Sequence, residues 1–92
     1  ADDMIIKGGM NIYPSEIELL LKHNEEILDV NAYGQGSNIV IEVMLNSKYY
    51  GLSHKDIMQL CSFSLPSYLM PDKLIVVDRI SVSATGKRAH SK

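Results

Sequence analysis

The stretch that decides the fold is residues 27–45, with the sequence ILDVNAYGQGSNIVIEVML. In residues 27–33 apolar and polar side chains alternate, which is typical of a strand with one buried face. Glycine and polar residues at positions 34–38 then favour a turn into a second strand at 39–45. That second strand is apolar on both faces, so it is predicted to be a central strand covered on both sides. In the first strand the alternation places Leu28, Val30 and Ala32 on the buried face and Asp29 and Asn31 on the opposite face.

A short strand and a helix are predicted before this hairpin. The strand covers residues 4–7 and is ended by two glycines, which weaken a strand and permit positive φ. The helix follows directly, because Pro14 is placed for a helix entry and apolar residues recur at helical spacing behind it. Ser15 and Glu18 have the spacing of a capping box. We expect this helix to end near residue 24.

A second helix and a third core strand are predicted after the hairpin. Ser53 and Asp56 have the spacing of a capping box, and Pro66 ends the helix because it lacks the amide hydrogen. Residues 74–80 are rich in β-branched side chains and are predicted to form the third strand. The order of elements predicts an α+β domain with a small three-stranded, mainly antiparallel sheet and packed helices.

Composition agrees with one small globular domain. The 92 residues are 46% hydrophobic and carry a formal net charge of -2, which is not the signature of a nucleic-acid-binding protein. No apolar run is long enough for a membrane span. The single cysteine, Cys61, lies on a helical apolar stripe, so we expect a buried thiol in a reducing cytoplasm. The spacing of His23, His54 and His90 suggests no metal site.

Two motifs stand at the ends of the chain. Residues 83–87 read SATGK and place Lys87 on a small glycine-hinged loop, where its ammonium can reach negative charge on another surface. Taken alone, this pattern fits a solvent-exposed loop lysine better than a functional one. Residues 2–18 read DDMIIKGGMNIYPSEIE.

Together these motifs resemble the small C-terminal domain of the adenylate-forming enzyme superfamily. This superfamily includes the acyl- and aryl-CoA ligases, the adenylation domains of nonribosomal peptide synthetases and the luciferases. The resemblance covers essentially the whole chain and implies that residues 1–92 are a single C-terminal domain, whose large N-terminal domain lies outside this sequence. The motif Gly-Gly-x-Asn-Ile-x-Pro at residues 8–14 favours acyl- or aryl-CoA ligases over peptide synthetases.

The resemblance also implies roles for residues at both ends. Lys87 matches the lysine that stabilises the adenylation transition state. Gly8 and Gly9 match a crossover loop that lines the pantetheine tunnel during thioester formation, although a turn glycine without a ligand is the alternative. Asn11 is a weaker candidate for the same site, or an amide that satisfies the loop. Asp2 matches the hinge about which the domain rotates, and its neighbour Asp3 is the fallback.

The implied substrates and partners follow from this reaction. A small carboxylic acid is adenylated with ATP, and the acyl group passes to CoA or to the phosphopantetheine of a carrier protein. Mg²⁺ is expected to be bound with ATP by the N-terminal domain, and no cofactor is expected to bind this fragment tightly. The isolated fragment is predicted to be inactive. Two alternatives are a non-catalytic binding module of the same fold and a P-loop at Gly86-Lys87, whose further motif residues are missing.

Overall fold

The structure is a computed structural model, and it describes residues 4–80. Within this range the chain forms a two-stranded sheet, a three-stranded sheet and two α-helices. Short 3₁₀ turns precede and follow the second helix. In chain order the elements are β1 (Ile5–Lys7), β2 (Met10–Ile12), α1 (Pro14–Leu21), β3 (Ile27–Gln35), β4 (Asn38–Leu45), a 3₁₀ turn (Ser47–Tyr49), α2 (His54–Ser64), a second 3₁₀ turn (Ser67–Leu69) and β5 (Lys73–Val76).

The larger sheet confirms the predicted α+β class and the central strand. Its order is β3-β4-β5, with β3 antiparallel and β5 parallel to β4. Val40 and Ile41, adjacent residues on opposite faces of β4, are both buried, so the strand is covered on both sides as expected. The third strand begins at Lys73 and is shorter than the sequence predicted. The predicted sheet is therefore present, and the third strand joins it in parallel.

The N-terminal region contains a hairpin that the sequence analysis did not predict. The expectation that the strand and glycine pair lead directly into a helix is wrong, because Gly8 and Gly9 form a two-residue turn between β1 and β2. Each of these strands has only three residues, which is too short for an alternation pattern to be recognised. The hairpin is instead defined by the burial of Ile5 and Ile12, which lie opposite each other.

The predicted faces of β3 need a correction at two positions. Val30 and Ala32 are buried as expected, but Leu28 is 53% exposed because a register shift between Ile27 and Asp29 changes the side of the sheet that it faces. Asn31, expected on a solvent face, is only 2% exposed. Its amide donates a hydrogen bond to Glu42 Oε1 at 3.1 Å. The face of the sheet that carries Asn31 is therefore partly buried, and Asn31 and Glu42 form a polar pair on it.

The start of α1 also differs from the prediction. The residue before the helix is Tyr13, with Pro14 in the first turn and no side-chain cap, so the predicted capping box of Ser15 and Glu18 is wrong. Glu18 faces the sheet instead, and its Oε2 accepts a hydrogen bond from the Ala32 amide at 2.8 Å. This contact satisfies a backbone donor of β3, which is an edge strand of the sheet. The helix ends at Leu21, earlier than expected.

The second helix follows its sequence signals closely. Ser53 and Asp56 form the predicted capping box, with both reciprocal hydrogen bonds present. The helix ends before Pro66, as expected. Cys61 is fully buried, which confirms its predicted place in the core, and burial raises the pKa of its thiol to about 11. Such a thiol stays protonated at neutral pH and is a poor nucleophile.

Gly34 of β3 is where the N-terminal hairpin meets the larger sheet. A Cβ at this position would lie 2.7 Å from Cγ1 of Ile5, and Ile5 is itself buried. We expect Gly34→Ala to displace Ile5 and to lower the free energy of unfolding by about 1–3 kcal/mol. Thermal denaturation should show a melting temperature lower by roughly 4–8 °C for each kcal/mol.

The matched control for this prediction is Gly51→Ala, because a Cβ at Gly51 meets no atom of the described part of the chain within 4 Å. Its melting temperature should stay close to that of the parent chain. Equal melting temperatures for the Gly34 and Gly51 variants would mean that the hairpin does not pack closely on β3.

Candidate functional site

The turn between β1 and β2 is an exposed glycine tip. Gly8 has φ of 57° and Gly9 has φ of 81°, values that side chains other than glycine rarely adopt. Two-residue hairpin turns of this kind require positive φ at both central positions, so both glycines have a conformational reason to be there. Among the residues that the structure describes, a Cβ built at either position meets nothing within 4 Å. The tip therefore leaves its backbone open to approach from outside the domain.

The inner face of the hairpin holds it against the rest of the domain. Ile5 and Ile12 are buried in the core. Further toward the tip, the Lys7 ammonium forms an ion pair with Asp72, which precedes β5. Two hydrogen bonds lower the pKa of Asp72 below its ordinary value of 3.8. The larger effect comes from the Lys7 ammonium, and the second comes from the Ile39 amide, which donates at 2.7 Å. The carboxylate is therefore ionised at neutral pH, as its ion pair with Lys7 requires.

The outer face of the hairpin carries an amide within an apolar surface. Asn11 lies directly opposite Ile6, and both side chains are exposed. The apolar side chains of Met4 and Tyr13 flank this pair and are also exposed, at 40% and 45%. Asn11 therefore stands on the same hairpin as the glycine tip, on the face turned away from the core.

The structure brings together only part of the predicted site. Gly8, Gly9 and Asn11 lie on one hairpin. Lys87, Asp2 and Asp3 lie outside the described residues 4–80. Sequence reasoning did not identify the contact of Lys7 with Asp72 or the close approach of Gly34 to Ile5. No local signal would have found the ion pair, since its two residues are 65 positions apart.

The described residues offer neither a metal-ligand cluster nor a membrane-spanning helix. Between residues 4 and 80, no group of three or more His, Cys, Asp or Glu side chains is arranged to hold a metal ion. Two histidines there lie near backbone carbonyl oxygens, His23 near that of Leu19 and His54 near that of Leu74, each at 3.0 Å. No helix formed by the described residues has the length and apolar character needed to cross a bilayer.

Comparison with known proteins finds relatives along nearly the whole chain. The chain is 30% identical over 95 residues to 2-succinylbenzoate–CoA ligase of Listeria monocytogenes, covering 98% of the chain and 20% of that protein. It is 32% identical over 89 residues to indoleacetate–CoA ligase of Aromatoleum aromaticum, covering 92% of the chain and 18% of that protein. No protein-family model matches the chain.

A solved structure gives the same result for the fold. The o-succinylbenzoate CoA synthetase of Bacillus subtilis, in complex with an acyl-adenylate intermediate, matches with a TM-score of 0.79 at 27% identity. The match covers 98% of this chain and 19% of that one. The chain thus spans about a fifth of the length of the proteins it matches.

These findings confirm the resemblance drawn from the two end motifs. The comparisons show that the chain is homologous to the C-terminal part of AMP-forming CoA ligases, and its fold matches that of a solved adenylate-forming enzyme. Within that class its named relatives are acyl- and aryl-CoA ligases.

Proposed function

We propose that the chain is the mobile C-terminal domain of an ATP-dependent, AMP-forming acyl- or aryl-CoA ligase. The observation that carries this proposal is the match of 98% of the chain to a fifth of a CoA ligase. The open glycine tip of the hairpin supports it, because a crossover loop must expose its backbone to a ligand held elsewhere. In this proposal the two ends of the domain serve the two halves of the reaction.

The first half-reaction uses Lys87. A carboxylate oxygen of the substrate attacks the α-phosphorus of ATP, the bond to the β-phosphate oxygen breaks, and pyrophosphate leaves. Negative charge builds up on the oxygens around the α-phosphorus in the transition state. The Lys87 ammonium contacts the carboxylate and α-phosphate oxygens and neutralises this charge, which in a closed site supplies several kcal/mol. Mg²⁺ accompanies ATP and is bound by the N-terminal domain.

The second half-reaction uses the hairpin tip. The CoA thiol attacks the carbonyl carbon of the acyl-adenylate, its proton is lost, and AMP leaves with the bonding electron pair. The thiol reaches the carbonyl through a tunnel that Gly8 and Gly9 line. Because neither glycine carries a side chain and no atom of residues 4–80 encloses either tip position, the backbone can lie close to the thin pantetheine arm. The exposed Asn11 amide is a further candidate contact for an amide group of that arm.

Between the half-reactions the domain rotates about a hinge at Asp2, or at Asp3 if the register differs by one. The rotation exchanges the Lys87 loop for the hairpin tip at a single active site. The partners of the domain are then its own N-terminal domain, CoA and a small carboxylic acid. The relatives named above are CoA ligases, which favours CoA over a carrier protein as the acyl acceptor.

We expect the 92-residue chain alone to release no pyrophosphate from ATP with any carboxylate, because the acyl and nucleotide pockets belong to the N-terminal domain. A coupled pyrophosphate assay on the purified chain measures this. The positive control is the N-terminal domain mixed with the chain, which should regain weak activity, while the N-terminal domain mixed with Lys87→Ala chain should not. Robust pyrophosphate release by the chain alone would overturn the proposed function.

A further inference from the structure

The β1–β2 hairpin is too small to hold its own shape. Each strand has three residues, and an isolated two-stranded hairpin of this size has marginal stability in water. At its base the hairpin is anchored by the buried pair of Ile5 and Ile12. This anchor does not extend to the tip, because Met10, the residue opposite Lys7, is 44% exposed. The direction of the tip therefore depends on something other than burial.

The position of the Lys7–Asp72 ion pair allows it to restrict the direction of the tip. Lys7 is the last residue of β1 and is covalently joined to Gly8, so fixing its side chain restricts the backbone that enters the turn. The carboxylate that it contacts is itself held in place. Oδ2 of Asp72 accepts a hydrogen bond from the Ile39 amide at 2.7 Å, and the Asp72 amide donates to the Ile39 carbonyl at 2.8 Å.

These two hydrogen bonds attach Asp72 to the first residues of β4, the central strand. Ile39 is fully buried, so the Asp72 carboxylate is hydrogen-bonded to a closely packed part of the central strand. The Lys7 and Asp72 side chains are 36% and 34% exposed, and ion pairs with this much solvent contact add little to global stability. The expected effect of the pair is therefore local to the tip.

We propose that Lys7 and Asp72 form a positioning pair that fixes the direction of the Gly8–Gly9 turn relative to β4. The consequence for catalysis rests on the proposed function: a fixed tip keeps the crossover loop aligned with the acceptor tunnel, so the pair acts on thioester formation through the glycines. Neither residue is required to touch substrate.

The domain offers a matched control in its second Lys–Asp pair. Lys22 Nζ lies 3.3 Å from Asp29 Oδ1, and the two side chains are 50% and 28% exposed. Asp29 Oδ1 also accepts a hydrogen bond from the Val30 amide at 2.8 Å. This control pair has the same chemistry as the Lys7–Asp72 pair. It joins the end of α1 to β3 rather than to the hairpin tip.

The first measurement uses the 92-residue chain and needs no activity. Lys7→Met and Asp72→Asn each remove the ion pair, and the asparagine keeps an oxygen acceptor for the Ile39 amide. Both variants should increase the backbone mobility of Gly8 and Gly9, measured by ¹⁵N relaxation, with little change in melting temperature. The double variant should be no more mobile than either single one, Lys7→Arg should restore the rigid tip, and Lys22→Met should leave it unchanged. An unchanged tip in both single variants would overturn the proposal.

The second measurement uses the full-length enzyme. Lys7→Met should slow thioester formation from a supplied acyl-adenylate by about tenfold, since misplacing a reacting group by an ångström is costly, and should leave adenylation unchanged. Lys7→Arg should restore most of the rate, and Lys22→Met should have no effect. A mobile tip combined with normal thioester formation would support the positioning pair but refute the proposed role of the glycine loop. A slower thioester step with a rigid tip would refute the positioning pair.

Discussion

Replacing Lys87 by alanine in the full-length enzyme should slow adenylation by about 10²–10³, the loss seen when one transition-state charge stabiliser is removed. The same variant should convert a supplied acyl-adenylate to thioester at a near-normal rate, because in the proposed mechanism the lysine loop rotates away from the active site before this step. Pyrophosphate exchange measures the first half-reaction, and thioester formation from synthetic acyl-adenylate measures the second.

The control for this prediction is Lys48→Ala. Lys48 is an exposed lysine in a 3₁₀ turn, so its removal changes net charge by the same amount without touching either end motif. It should leave both half-reactions unchanged. Equal damage to both half-reactions in Lys87→Ala would contradict a mechanism in which two faces of the domain alternate.

Replacing Gly9 by leucine should have the opposite pattern. Adenylation should survive, and thioester formation should fall on the order of 10²-fold, because in the proposed mechanism a side chain at Gly9 occupies the path of the thiol arm and misplaces the nucleophile. The structure excludes a clash within the described residues of the domain as the cause of such a loss. A Cβ at Gly9 meets nothing within 4 Å in the described residues of its own domain, so a steric effect must arise from a ligand or another domain.

Backbone strain is the competing explanation for such a loss, since Gly9 has φ of 81° and a side chain there costs about 1–2 kcal/mol. Gly36→Leu is the matched control. Gly36 has φ of 66°, lies in the turn between β3 and β4, and likewise meets nothing within 4 Å. Both variants should lose similar stability, but only Gly9→Leu should lose thioester formation. Normal thioester formation by a folded Gly9→Leu enzyme would show that the glycine pair is only a turn.

Much of the fold could be predicted because its signals are local. The α2 capping box is formed by residues three positions apart, and Pro66 ends that helix by its own chemistry. The apolar run of β4 indicated burial on both faces, and Val40 and Ile41 are both buried. Predictions failed where a local pattern competed with tertiary contacts. Glu18 has capping-box spacing but is used to satisfy the Ala32 amide of an edge strand.

The candidate site likewise has features that the sequence predicted and features that only the structure revealed. The glycine pair and Asn11 were found from a short motif, because a motif lies within a few consecutive residues. The sequence did not reveal that the glycines form the tip of a hairpin, since strands of three residues leave no periodic pattern. It also did not reveal that Gly34 makes room for Ile5.

The sequence by itself determined the class of fold, the central strand, the capped second helix and the family resemblance. Each of these depends on side chains near one another in the chain or on a motif read in order. Only the tertiary structure decided the parallel pairing of β5, the burial of Asn31 and the contact of Lys7 with Asp72. These features depend on which backbone edges and charged groups meet once the chain has folded. Residues 65 positions apart leave no local trace of such a meeting.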